Sequence, residues 1–209
     1  MIIAVDGPLA SGKGTIARAL ALQLGLAHLD TGSLYRATGV AVIDAGLDPE
    51  ADTDRVADLA RYLDIAAIDE DRIRTAEAGA MASRVAAIPR VREALYELQR
   101  SFATQPGGAV LDGRDIGTVI CPDADVKLYV TADPQTRARR RWQELVDRGE
   151  DIAFETVLDM TLERDKRDAE RADAPMKPAE NATLLDTSEL SIDAAVAEAL
   201  RIVENRQKA

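Results

Sequence analysis

A single cysteine, Cys121, and a single histidine, His28, leave this 209-residue chain with little of the chemistry that depends on thiols and imidazoles. One thiol excludes an internal disulfide and suits a reducing cytoplasm. One imidazole excludes a multi-histidine metal site and any Cys/His zinc cluster. A Ser-His-Asp hydrolase would have to use His28, and no nucleophile-elbow sequence accompanies it. Long apolar runs are missing as well. Met1 to Val5 is too short for a signal core, Asp6 interrupts it, and no stretch approaches the length of a bilayer crossing. A soluble, cytoplasmic protein with no membrane partner is expected. Positive charge is in deficit, with 26 basic against 37 acidic side chains and a net charge of −11. That balance argues against a duplex nucleic-acid partner, whose affinity comes from cations neutralising phosphates. Any anion held here must be gripped by a local cluster, against the sign of the whole.

What is present fits one medium-sized domain. The length suggests it, and 46% apolar residues supply a core without staples. Five short apolar segments recur at Ile2–Asp6, Ala27–Asp30, Ala109–Asp112, Val126–Thr131 and Thr183–Asp186, and four of them end at an aspartate. Between them lie stretches with helical spacing: 15–24, 33–45, 91–104, 134–147, 156–171 and 192–206. Alternating strands and helices predict a five-stranded parallel sheet with helices on both faces. In such sheets ligands gather at the carboxyl ends of the strands, where these aspartates stand. The stretch from about Asp48 to Pro89 is less regular and reads as an insertion on the sheet.

The strongest local signal is Gly7-Pro8-Leu9-Ala10-Ser11-Gly12-Lys13-Gly14-Thr15, directly after the first strand. Gly7 and Gly12 can take backbone angles closed to other residues, so successive N–H groups can turn around an anion. Lys13 would reach the β- and γ-phosphates, and the following helix adds its positive dipole end. This predicts a P-loop NTPase fold that binds ATP. The usual hydroxyl directly after the lysine is replaced by Gly14, with Thr15 one position later. A Mg²⁺ ion would therefore come with ATP, near Thr15, with no dedicated protein cage.

Two further segments follow strands. Asp30-Thr31-Gly32-Ser33-Leu34-Tyr35-Arg36 starts a helix with capping hydroxyls and places Arg36 one turn in. Leu111-Asp112-Gly113-Arg114-Asp115-Ile116-Gly117-Thr118 sends three charged residues out of an apolar strand together, which a plain turn does not explain. The 21 arginines outnumber the five lysines, and guanidinium forks suit bidentate phosphate recognition. On a helical wheel Arg137, Arg140, Arg141 and Arg148 share one face with Glu144, while Arg139 points away. Arg164, Arg167, Asp168 and Arg171 occupy one arc of the next helix. Two cationic faces in an acidic protein predict a polyphosphate clamp, and Pro134 and Gly149 bracket the first of them as a lid. Cys121 and Trp142 read as packing, Tyr35 as helix core and His28 as structural.

Taken together, Gly-Pro-x-x-x-Gly-Lys-Gly-Thr, Asp-Thr-Gly-x-x-Tyr-Arg, Ala-Ser-Arg-Val-Ala-x-x-Pro-Arg-Val-Arg and Asp-Gly-Arg-Asp-Ile-Gly-Thr-Val resemble the bacterial cytidylate kinases. The similarity runs on through Glu163–Asp168 to Asp186-Thr187-Ser188, and departs around residues 65–75, where the chain is shorter than the family's long form. The resemblance implies γ-phosphoryl transfer from ATP to CMP or dCMP by a monomeric enzyme. It implies that Arg36, Arg114 and Arg171 hold the acceptor phosphate, with Thr31 and Asp112 in the same site. By the same resemblance Ser83, Arg92 and Asp115 read cytosine, and Arg164 and Asp168 face the sugar. Lys13, Arg114, Arg140 and Arg141 are the expected catalytic residues. The core would comprise about 1–32, 107–133 and 173–209, the acceptor-binding region about 33–106, and the lid with its following helix about 134–172. Two alternatives stay open: another small kinase acting on AMP, UMP or a metabolite such as shikimate, and a nucleotide-dependent switch, although no Asn/Thr-Lys-x-Asp base-reading motif occurs.

Overall fold

The computed structural model of the chain describes residues 1–64 and 67–207. The five apolar segments form strands β1 (Ile2–Asp6), β2 (Ala27–Asp30), β3 (Ala109–Gly113), β4 (Val126–Thr131) and β5 (Thr183–Asp186). They pair in parallel in the order β2-β3-β1-β4-β5. The chain leaves β1 toward β2 on one side and returns on the other through β4. The carboxyl end of β1 is therefore the switch point of the sheet, where a crevice opens between divergent connections.

Side chains alternate across each strand, and so divide the core in two. Ala4 and Leu111 face a layer built from α2 (Thr31–Asp44), α3 (Thr53–Arg61) and α5 (Pro89–Ala103), with Leu34, Val56 and Leu95 fully buried. Ile3, Val5, Val110 and Leu128 face α1 (Lys13–Leu24) and α8 (Ile192–Gln207), where Ile16, Leu20 and Val203 interlock. Each such buried aliphatic side chain contributes about 1.5–3 kcal/mol against exposure. The helix starts are locally encoded: the Asp30 carboxylate accepts the Ser33 N–H, the Asp133 carboxylate accepts that of Thr136, and Pro89 and Pro134 occupy first-turn positions.

The stretch from 48 to 89 is more ordered than its sequence suggests. It contains α3 and α4 (Ala76–Val85), joined in part by a tight turn at Arg72–Arg74. Their buried faces consist largely of alanine and valine, such as Val56, Ala57, Ala60, Ala78 and Ala82, and at nine and ten residues both helices are shorter than the window over which an apolar period is read with security. Of the shortened segment at 65–75, residues 65 and 66 lie outside the described residues. Among the described residues no second sheet accompanies it. Beyond β4, α6 (Pro134–Asp147) and α7 (Phe154–Glu170) form a helical hairpin, pinned where Trp142 meets Phe154 edge-on at 6.3 Å.

Candidate active site

The phosphate cradle leaves β1 at Gly7, whose φ of 153° and close approach to β4 admit no side chain. A Cβ there would stand 1.9 Å from the Val130 carbonyl oxygen. Two carbonyls of the loop are held from outside. Arg137 donates to that of Leu9 at 3.3 Å, and the Thr187 hydroxyl donates to that of Ser11 at 2.8 Å. Because a peptide's C=O and the next N–H point opposite ways, pinning these oxygens outward leaves the Ala10 and Gly12 amides facing into the cradle. Pro8 and Ser11 are buried beneath, and Gly14 leaves space for the Asp112 carboxylate, 3.6 Å from where its Cβ would be.

Beside the cradle lies a cleft of about 550 Å³. Lys13 and Leu9 reach it from the cradle, Thr31, Tyr35 and Arg36 from α2, and Arg92 from α5. Arg114 and Asp115 enter from the end of β3, and Arg164 and Asp168 from α7, with Arg171 one residue past its end rather than on its helical arc. Residues from five parts of the chain thus meet at the carboxyl edge of the sheet. Several of these charges are already paired. Arg36 donates to Asp30 at 2.6 Å, Arg114 to Asp168 at 2.9 Å, and Arg92 to both Asp115 and Asp173. Yet Arg36 Nε, Arg92 Nη1, Arg164 Nε and Arg171 Nη2 are buried without a hydrogen-bond partner. Unsatisfied buried donors are costly, and four of them around one cleft point to an anionic or acceptor-rich ligand.

Charge in the cleft is strained accordingly. Burial, reinforced by Arg114, pulls the Lys13 amine down to about 8, with Asp112 and Asp30 opposing. Burial and Arg114 likewise bring the Arg164 guanidinium down to about 10. Burial would raise the Asp168 carboxyl, but Arg114 and Arg164 outweigh it and hold it below the usual carboxylate range. These are the shifts of a site short of negative charge.

A second cavity, about 920 Å³, opens on the outer side of the cradle, lined by Gly12, Thr15, Arg140, Thr187 and Ile192 among others. Arg140 is anchored there, donating to the Thr187 hydroxyl at 3.0 Å and to its carbonyl at 2.7 Å. Other expected site residues lie elsewhere. Arg141 pairs with Glu144 and donates to the carbonyls of Arg74 and Thr75. Ser83 faces a cavity between α4, α6 and α7, where its hydroxyl accepts from Arg167 at 2.8 Å. Asp112 is buried outside the cleft lining, with its Oδ1 2.9 Å from His28 Nε2. Tyr35, expected in the helix core, both packs against it and lines the cleft. The predicted cationic face of α6 is thus split, with Arg137, Arg140 and Arg141 each bound to a different partner.

The family profile for cytidylate kinase matches residues 3–205. The chain belongs to the cytidylate kinase family. A relative named cytidylate kinase from Xanthobacter autotrophicus is 59% identical over 208 residues, covering 99% of each chain. One of the same name from Caulobacter vibrioides is 54% identical over 204 residues, covering 98% of this chain and 95% of the relative. Among solved structures, an uncharacterised protein from Eubacterium ventriosum aligns with a TM-score of 0.57 at 15% identity over 98% of both chains, and a Thermus thermophilus protein with 0.50 at 21% identity over 98% and 96%. Both share the fold of this cytidylate kinase family member.

Several supporting residues of this family member escape sequence reasoning. Asp173 carries no signal of its own, and Thr187 lies in a family-like segment that does not reveal its contact, since each acts through a partner distant in sequence. Arg137 reads as one of the clamp arginines on a cationic face, but is buried and spent on structural partners. It donates to the carbonyls of Leu9 and Ala132 and pairs with Asp165 through both terminal nitrogens. Arg137→Ala strands that carboxylate and two carbonyls, an expected cost of about 3–5 kcal/mol. At roughly 2–4 °C per kcal/mol for a chain of this size, the melting temperature should fall by on the order of 10 °C. A melting curve within 2 °C of the parent's, about 1 kcal/mol or less, would show that Arg137 anchors nothing.

Proposed function

We propose that the chain transfers the γ-phosphoryl group of ATP to CMP or dCMP, giving ADP and CDP or dCDP. The observation that carries this assignment is the single cleft in which Lys13 of the cradle faces Arg36, Arg114, Arg164 and Arg171, with Arg92 and Asp115 at its side. The triphosphate would lie in the cradle with its nucleoside toward the outer cavity, bound through the inward amides of residues 7–15. The acceptor phosphate would take the free guanidinium donors inside. The two polyanions then meet end to end across Lys13.

The chemistry asked of the protein is chiefly positioning and charge stabilisation. An acceptor phosphate oxygen attacks the γ-phosphorus as the bond to the β-bridging oxygen breaks, and the attacking group is already an anion, so no general base is required. Lys13 stays with the donor phosphates, Arg114 holds the acceptor phosphate, and Arg140 at the mouth of the cradle and Arg141 on the same lid helix supply further positive charge on closure. The cradle suits a metal–nucleotide complex. Thr15 stands exposed at its mouth, and among the described residues no three His, Cys, Asp or Glu side chains gather as a metal cage. A magnesium ion arriving with ATP would be held by phosphate oxygens, water and the Thr15 hydroxyl, and when bound it neutralises charge on the phosphates.

Base choice follows from Asp115 and Arg92. A carboxylate accepts from the cytosine amino group, whereas uracil would present an oxygen to it. Arg92, with Nη2 on Asp115 and Nε on Asp173, keeps Nη1 free for the base carbonyl or ring nitrogen. Assayed with ATP and magnesium against CMP, dCMP, UMP, AMP and shikimate, the protein should phosphorylate the two cytidylates far faster than the rest. Equal rates with UMP would remove the carboxylate argument. ATP binding with no phosphorylated acceptor would favour a nucleotide switch.

No helix among the described residues is long and apolar enough to cross a membrane. That fits action on soluble nucleotides, which we place in the cytoplasm and assign to a monomer without a nucleic-acid partner.

A further inference from the structure

Asp6 ends β1 one residue before the cradle and is only 3% exposed. Its Oδ1 accepts the Ile116 N–H at 2.8 Å and its Oδ2 accepts the Gly117 N–H at 2.7 Å. Those two amides open a wide helical turn, Ile116–Ile120, that begins immediately after Asp115. From the far side of the turn, the Val119 and Ile120 N–H groups donate to the Asp115 carbonyl at 2.8 and 3.2 Å. The backbone around Asp115 is therefore held on one side by its own turn and on the other by a carboxylate 110 residues away. Gly117 completes the fit: a Cβ there would lie 3.3 Å from Asp6 Oδ2 and 3.2 Å from Lys127 Cδ.

We propose that Asp6 is a positioning residue for base discrimination. By gripping the two amides that follow Asp115, it fixes where the Asp115 carboxylate meets the acceptor base, and fastens that point to the strand that carries the phosphate cradle. The assignment rests on Asp115 as the base reader. It needs a carboxylate specifically. Two converging N–H donors want two acceptor oxygens, and an amide would offer one oxygen and set its own NH₂ against the second donor.

The environment of Asp6 supplies an internal test. Burial raises its carboxyl to about 7, against the two amide bonds, with Asp115 pushing it further up and Arg114 opposing. Across neutrality the group passes from carboxylate above to carboxylic acid below, and the acid has one strong acceptor instead of two. The other ionisable groups facing it are Lys127 and Tyr129 on β4 and Cys121 after the turn. Burial pushes the phenol and the thiol upward, away from this range. Lys13 titrates near 8 but acts on the donor phosphates, whichever acceptor is bound.

The discriminating measurement is kcat/KM for CMP and for UMP between pH 6 and 8.5, in the parent, Asp6→Asn and Asp115→Asn. Their ratio cancels the titration of Lys13 and of the acceptor phosphate, and a merely structural loss lowers both acceptors together. In the parent the ratio should fall several-fold toward pH 6, with a midpoint near 7. In Asp6→Asn it should be about tenfold lower at pH 8, the scale of one charge-assisted hydrogen bond, and flat with pH. A parent ratio independent of pH would overturn the proposal even if Asp6→Asn fails to fold. An Asp6→Asn enzyme with the parental ratio would overturn it too, whatever its KM for ATP. Asp115→Asn separates the two assignments. If it collapses the ratio while Asp6→Asn does not, only the role of Asp6 fails. If Asp115→Asn leaves the ratio intact, base reading lies elsewhere and both fail.

Discussion

Lys13→Met should lower turnover by roughly 10²–10³-fold, the typical loss when one preorganised donor to a transition-state oxyanion is removed. Methionine keeps the length and apolar stem of lysine and discards only the charge, so the change isolates electrostatics. Here that charge is expensive before substrate arrives, because burial and Arg114 hold the amine near 8. A lysine whose folded pKa lies below its unfolded value costs stability wherever it is protonated, and that cost fades as pH rises from about 8 toward 10.5. The variant should therefore melt no lower than the parent at pH 7 while being nearly inactive. A near-normal kcat would mean that the cradle is misassigned. A lowered melting temperature would mean that the amine stabilises the fold. The same shift predicts that affinity for a non-hydrolysable ATP analogue weakens between pH 7.5 and 9 in the parent, as Lys13 loses its proton. In Lys13→Met that dependence should vanish.

Asp115→Asn should narrow the preference for CMP over UMP by roughly 10–100-fold, matching the 1–3 kcal/mol that a good base-edge hydrogen-bond pair is worth. The effect has two parts. The parental carboxylate accepts from the cytosine amino group and sets oxygen against oxygen in UMP. An asparagine can turn its NH₂ toward the uracil carbonyl, so UMP gains while CMP loses. Asp115 is also the buried partner of Arg92, and lies 3.4 Å from Arg171 Nη2. The substitution loosens both guanidinium groups, and KM for either acceptor should rise. The ratio of kcat/KM values separates base reading from this shared loss, and an unchanged ratio would place base recognition on other residues.

Much of this was legible without coordinates. Strand bounds agree to within a residue because each strand is a short apolar run closed by a polar residue or glycine, a local property. The cradle was legible because Gly7, Gly12 and Lys13 sit at fixed spacing in one continuous segment. Helices α3 and α4 were not, since at nine and ten residues each offers too few turns for its apolar face to stand out. The family resemblance gives Ser83 and Arg92 the same base-reading role. They end in different cavities because α4 and α5 present them to different neighbours.

By itself the sequence determined the strands, the phosphate cradle, the family and the supply of arginines, all of which are written in near-neighbour patterns of residue type. Only the tertiary structure decided which guanidinium groups stay free and which are spent on carbonyls and carboxylates. Arg137 against Leu9, Thr187 against Ser11 and Asp6 against Ile116 each join residues more than a hundred positions apart. Such pairs depend on the strand order β2-β3-β1-β4-β5, which brings distant segments to one sheet edge. Local patterning cannot specify them, because a charge has no partner until the chain has folded around it.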